Sequence, residues 1–241
     1  MKRLSFPMVW LGAIGLALVS AGGDPVDRRL EVPRLGGEVV VDGKLDEACY
    51  QTQPLVKQFV IAGRPGQRPQ KTRAWLFWQP EQLVFAFDCE DVEIIAAPPS
   101  AREHDVDDQD RVELFFWSGR EADAYGCLEI GALGAVHDYR ARFYRRFEDA
   151  WSPAGWQHAV TRTARGYQVE ATVPRAALAE FGLRLEAGAR WRAGLFRADF
   201  SSKNPYGNPT WITWVDAKGP EPDFHVTGSF GEIMLGKKTV R

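Results

Sequence analysis

Hydrophobic and polar positions alternate along most of this chain, and the alternation is clearest where an acidic run, Asp107 to Asp110, meets the segment 111–117. There Val112, Leu114 and Phe116 fall on one face and Glu113, Phe115 and Trp117 on the other, the period of two that a β-strand imposes. The same reading predicts a hairpin from strands over 72–78 and 82–89, with Leu83, Phe85, Phe87 and Cys89 opposite Val84, Ala86 and Asp88. Further strands are predicted over 38–42, 55–61, 124–130, 135–144, 158–163, 167–173, 191–200, 211–215 and 229–235. A brief helical turn is expected over 44–48, and the one sustained helix over 174–181, with Pro174 at its start and Gly182 at its end. Roughly eleven to thirteen short strands with one short helix predict an all-β fold, a two-sheet antiparallel β-sandwich resembling a jelly roll.

The N-terminus departs from this pattern. Lys2 and Arg3 precede an apolar run from Met8 to Val19, and Ser20, Ala21 and Gly22 follow it. A charged start, an apolar stretch too short to span a bilayer comfortably and small residues behind it predict a signal peptide over 1–21; the alternative is an uncleaved anchor. Residues 22–37, rich in Gly, Pro and charge, read as a linker or lead-in, which leaves 38–241 as the domain. Export would place the protein outside the cell or in the periplasm, with no membrane attachment after cleavage.

Composition narrows the partners. Cleavage would remove Lys2 and Arg3 from 30 basic residues, leaving 28 against 32 acidic ones. A mildly acidic, evenly mixed surface carries no footprint for nucleic acid or an anionic membrane. The three cysteines, Cys49, Cys89 and Cys127, allow at most one intrachain disulfide and show no metal-binding spacing. Pairing among them and the oligomeric state stay open.

Glu113 is the first candidate for chemistry, because a carboxylate held mid-strand beside two aromatics needs a partner or a ligand. An arginine such as Arg140 or Arg142 is the structural alternative. Glu113 and Glu129 on neighbouring strands also imitate the paired carboxylates of a glycosidase. The acids Asp88, Glu90, Asp91, Asp105, Asp107, Asp108 and Asp110 are candidates for a structural calcium ion, which takes oxygen ligands, or for a solvated acidic loop. The four histidines show no triad spacing. Met234, the sole methionine after the signal, reads as core, which argues against haem. Of the eight tryptophans outside the signal, Trp151 and Trp156 lie on a Pro/Gly loop and are the ones expected at the surface.

Six segments, taken together, resemble a known family: V-D-G-K-L-D-E-A at 41–48, W-Q-P-E-Q-L-V-F-A-F-D-C-E-D at 78–91, D-R-V-E-L-F-F at 110–116, L-E-I-G-A-L-G-A-V-H-D at 128–138, G-Y-Q-V-E-A-T-V-P at 166–174 and F-H-V-T-G-S-F-G-E-I at 224–233. In order and spacing they are similar to the family 9 carbohydrate-binding modules. The resemblance implies a secreted, non-catalytic β-sandwich, often attached to glycoside hydrolases, that binds an oligo- or polysaccharide and carries structural calcium. It implies a sugar clamped between two tryptophans, with Trp214 as one stacking platform and Glu113 as a hydroxyl acceptor. Asp107 stands where the second clamp tryptophan is expected, and Glu129 where an arginine is expected; Trp151 and Trp156 are candidates for the missing wall. A sandwich that has lost the sugar site and serves as a structural or protein-interaction domain, and a hydrolase using Glu113 and Glu129, are the competing readings.

Overall fold

A computed structural model describes residues 28–64, 66–100, 102–203, 207, 209–219 and 221–241. The expected signal peptide over 1–21 lies outside the described residues. The strands, in chain order, are β1 (Arg29–Leu35), β2 (Val60–Ile61), β3 (Thr72–Trp78), β4 (Gln82–Glu90), β5 (Arg111–Trp117), β6 (Tyr125–Gly131), β7 (Val136–Arg142), β8 (Arg146–Glu148), β9 (Gln157–Thr163), β10 (Gly166–Pro174), β11 (Arg190–Asp199), β12 (Thr210–Thr213) and β13 (Gly231–Val240). One short helix, α1 (Arg175–Ala179), follows Pro174.

Two layers face each other. One runs β8-β7-β6-β5-β11-β13, with β12 and β2 continuing from β11; the other runs β3-β4-β10-β9. They join through β1, which lies parallel to β13 from Arg29 opposite Glu232 to Leu35 opposite Val240, and touches β3 where Arg34 meets Trp78. Residues 29–35, expected within the linker, are therefore a structural strand, with Val32 and Leu35 buried. Pro33 falls at the irregularity in the β13 pairing between Val32 and Arg34, where a residue without a backbone N–H is tolerated, and Val32 and Leu35 join clusters on opposite sides of the strand.

The space between the layers is filled by the faces that alternation predicts. Val112, Leu114 and Phe116 of β5, Leu128 and Ile130 of β6 and Leu195 of β11 meet Leu76 of β3, Phe85 and Phe87 of β4 and Val169 and Val173 of β10. Each such side chain removed from water contributes on the order of 1.5–3 kcal/mol. Both outer faces are covered as well, one by a cluster of Phe115, Trp117, Tyr125, Tyr139, Phe196, Phe224 and Phe230, the other by Tyr50, Trp75 and Phe77. Burial on both sides explains why these strands are hydrophobic beyond simple alternation. Gly166 starts β10 where a Cβ would collide with the Cys89 carbonyl oxygen, so only glycine lets β10 approach β4 so closely.

Four local expectations change. Residues 38–41 form no strand, because the backbone N–H groups of Val40, Asp42 and Gly43 donate to the carboxylates of Glu47 and Glu170 instead of to a neighbouring strand. The helical turn falls at Ala48–Gln51, not at 44–48. The strand expected over 55–61 reduces to β2 and an isolated bridge between Val56 and Ala74. β8 has no counterpart among the predicted strands; it pairs Arg146–Glu148 back onto Arg140–Arg142. All three cysteines are buried thiols, with Cys89 and Cys127 packed among apolar neighbours.

Candidate binding cleft

Register brings the charged residues of three strands into one row. Glu113 of β5 lies opposite Glu129 of β6, and Glu129 opposite His137 of β7. Period two then places Arg111 and Glu113 on the same face of β5, outside the main core and beside Phe115. The Arg111 Nε–H donates to Glu113 Oε1 at 2.9 Å and makes an ion-pair contact of 2.6 Å with Glu129 Oε2. Its Nη1 donates to the Asp107 carbonyl at 2.7 Å. Tyr139 donates its hydroxyl to Glu129 Oε1 at 2.6 Å. The arginine partner anticipated for Glu113 is thus Arg111, two residues away, and not Arg140 or Arg142, which pair with Glu148.

Two buried carboxylates share this one guanidinium. Burial, and then the charge of Glu129, push the Glu113 carboxyl up to about 8, although Arg111 opposes the shift. Burial works against the charged form of Arg111, but Glu129 and Glu113 outweigh it and hold the guanidinium protonated. Next to them His225 is pushed down to about 3, first by burial and then by Arg145, so it is a neutral ring. It shares a 2.9 Å hydrogen bond through Nδ1 with the Tyr125 hydroxyl.

Above this base opens a cleft of about 310 Å³, within the size range of small-ligand sites. Trp211 and Phe147 line it together with Arg145, Asp149, Asp223, His104 and Asp107. Trp211 leaves β12 toward the cleft, under the Arg111 guanidinium, whose carbon lies 5.7 Å from the ring centroid. Phe147, 45% exposed, comes from β8 and packs on Tyr139 and His225. Arg145 holds Asp223 at 2.9 Å across the rim.

Trp214 is not part of this site. It is 1% exposed and sits between the layers, where Gly231 makes room for it: a Cβ there would collide with the Trp214 ring. Trp211 and Trp214 are three residues apart, so the strand sends them to opposite faces, with Ile212 and Trp214 inward. Trp151 and Trp156 also lie elsewhere. Trp151 packs edge-on against Phe181 and donates to Glu180, and Trp156 stacks near His158; neither lines the cleft. Glu113, Glu129 and Asp107 do line it, together with Trp211, which is absent from the candidates drawn from the sequence. The signal for Trp211 lies in the parity of W-I-T-W.

The acidic residues considered for calcium separate. Asp88 pairs with Arg73, Glu90 with Lys71, and Asp105 with Arg102; Asp108 is exposed and Asp107 faces His104 and His137. Asp91 and Asp110 instead converge with Asp199, their carboxylate oxygens within 4.8 Å of one another. One buried guanidinium, Arg197, bonds Asp91 at 2.9 Å and Asp199 at 3.2 Å. Asp110 accepts the backbone N–H groups of Ile95 and Phe200, and burial pushes its carboxyl up to about 7.

A two-layer β-sandwich with a mixed aromatic and charged cleft on one outer face is the architecture of a ligand-binding module. The family model described as Carbohydrate family 9 binding domain-like matches residues 41–238, and the chain belongs to that family. Among solved structures, a family 9 carbohydrate-binding module from Caldicellulosiruptor kristjanssonii in complex with cellotriose is similar at TM-score 0.61 and 15% identity, over 87% of this chain and 94% of that one. The module from the same organism in complex with glucose matches at TM-score 0.60 and 14% identity, over 88% of this chain and 98% of that one. No match is found among curated protein sequences. No helix among the described residues is long and apolar enough to cross a membrane.

Proposed function

We propose that the protein is a non-catalytic carbohydrate-binding module that takes a sugar unit into the Trp211 cleft. The observation that carries this reading is the pairing of exposed aromatic surface with a fan of charged side chains around about 310 Å³. Sugar C–H faces pack on aromatic planes such as Trp211 and Phe147, and hydroxyls accept charge-assisted hydrogen bonds from Arg145 and donate them to Asp149 and Asp223. Family membership and the fold shared with modules solved with cellotriose and glucose support a glucan as the first ligand to try. Calorimetry with glucose, cellotriose and a panel of oligosaccharides tests it. Binding that weakens about tenfold or more in Trp211→Ala is expected, the loss of one aromatic stacking contact in a desolvated site; no binding to any sugar, or binding unchanged in that variant, favours a protein-interaction sandwich instead.

A hydrolytic role for Glu113 and Glu129 has less support. Both side chains are buried and tied to Arg111, whereas a glycosidase needs one carboxyl free to protonate and another free to attack or to activate water. Export through a signal over 1–21 belongs to the same proposal. So does a structural calcium ion: Asp91, Asp110 and Asp199 offer an all-oxygen set with more negative charge than Arg197 neutralises, and the ion would supply the missing positive charge.

A further inference from the structure

At the mouth of the cleft, three side chains from separate parts of the fold converge. His104 lies on a 3-10 turn, Glu103–Val106, Asp107 closes that turn, and His137 sits on β7. One donor atom from each lies within 4.8 Å of the other two. The Nδ1 atoms of His104 and His137 stand 3.0 Å from the two oxygens of the Asp107 carboxylate, and the two rings meet at a centroid distance of 4.4 Å. We infer that His104, Asp107 and His137 form a binding site for a divalent transition metal ion of the zinc type.

Three observations point the same way. First, the spacing fits: zinc bonds of about 2.0–2.2 Å in a tetrahedron put neighbouring ligand atoms about 3.3 Å apart, so small side-chain shifts suffice. Second, His137 is 5% exposed and lines the cleft, and its ring packs between His104 and Tyr139, so its Nδ1 is held toward Asp107 by a fixed side chain. A ligand held in place by packing gives up little side-chain freedom when an ion binds. Third, His104 turns its Nε2 toward the Asp149 carboxylate at 3.6 Å, the kind of outer contact that orients metal-bound imidazoles. The cleft supplies the field, with the carboxylates of Asp107, Glu129, Asp149 and Asp223 against the guanidiniums of Arg111 and Arg145.

Two imidazoles and one carboxylate select zinc, cobalt, nickel or copper over calcium and magnesium, which prefer oxygen. This set is therefore distinct in chemistry from Asp91, Asp110 and Asp199. Three protein ligands would leave a coordination position facing the cleft, open to a hydroxyl or carboxylate oxygen of a bound molecule.

The test uses the full-length mature protein, free of any affinity tag and stripped with chelator, titrated with Co²⁺ and Zn²⁺ alone. One equivalent of Co²⁺ should bind, develop visible absorption of low-symmetry cobalt and be displaced by Zn²⁺ but not by millimolar Ca²⁺. His104→Ala, at an exposed position, and Asp107→Asn should each weaken binding about 10- to 100-fold, while His158→Ala leaves it unchanged. Circular dichroism of each variant confirms the fold. Absence of stoichiometric binding below about 100 µM metal, a threshold far weaker than structural zinc sites reach, displacement of cobalt by Ca²⁺, or equal affinity in His104→Ala and Asp107→Asn would overturn the inference. Because the readout is the metal alone, it stands or falls apart from sugar binding.

Discussion

Replacing Glu113 by glutamine isolates the electrostatic imbalance at the base of the cleft. In the wild type, Glu113 and Glu129 face each other across β5 and β6 with only Arg111 between them. The folded protein therefore holds a proton on Glu113 up to about pH 8, while the unfolded chain releases it near the ordinary value of 4.5. Between those values the native state binds more protons than the unfolded state, so stability falls as pH rises. This contribution is fully present below about pH 4.5 and lost as pH passes 8, a difference on the order of a few kcal/mol. In Glu113→Gln the amide would keep an oxygen to accept the Arg111 Nε–H and leave Glu129 and Arg111 as a one-to-one pair. The other groups facing this position, Asp107 and the hydroxyl of Tyr139, are unaltered. Urea unfolding of both proteins at five pH values from about 5 to 9, spanning the window in which the proton is held only by the folded state, measures the effect in the presence of chelator. Glu170, pushed up to about 7, and Asp138, to about 6, tilt both curves alike, so the difference between the proteins is the readout. The variant should gain on the wild type by a few kcal/mol across that range. Parallel curves would refute the claim that the pair shares one counter-charge.

Two further outcomes are expected from the packing and the acidic cluster. Trp214→Ala should cost about 3–5 kcal/mol, the range for truncating a buried tryptophan, and lower the melting temperature by about 6–20 °C, whereas Trp211→Ala, which removes a half-buried ring packed on Phe224 and Arg111, should lower it by clearly less. Equal destabilisation by the two variants would contradict the opposite orientation of the side chains. If Asp91, Asp110 and Asp199 hold calcium, Ca²⁺ at about a hundred times its dissociation constant should stabilise by about 2.7 kcal/mol, an effect lost in Asp199→Asn. Thermal melts that do not respond to Ca²⁺ or EDTA would count against that site.

The core was legible because its signal is local. Alternation in 82–89 and 111–117 assigns each side chain to a face without knowledge of neighbours, and the two layers meet along the assigned faces. Segments whose backbone partners come from elsewhere were not legible. Residues 38–42 have strand composition, but Glu170, far along the chain on β10, captures the N–H groups of Asp42 and Gly43. Residues 29–35 have the composition of a linker, yet β13 offers a parallel edge to pair with.

The cleft shows the same divide within a single site. Arg111 as the partner of Glu113, and Trp211 as the tryptophan opposite in orientation to Trp214, both follow from counting by two along one strand. The resemblance to a family draws Trp214 forward, although strand parity sends it to the same side as Ile212, which is core. The meeting of His104 with His137, by contrast, depends on where the loop before β5 lays its 3-10 turn against β7, and no local period encodes that contact. Strands in register can thus fix the base of a cleft while its rim is set by loops. Asp107 marks that boundary: it ends the rim turn and points its carboxylate at two histidines, and its carbonyl anchors the Arg111 that organises the base. Substituting Asp107 should therefore act on the rim through its side chain and leave the base, held by its backbone, in place.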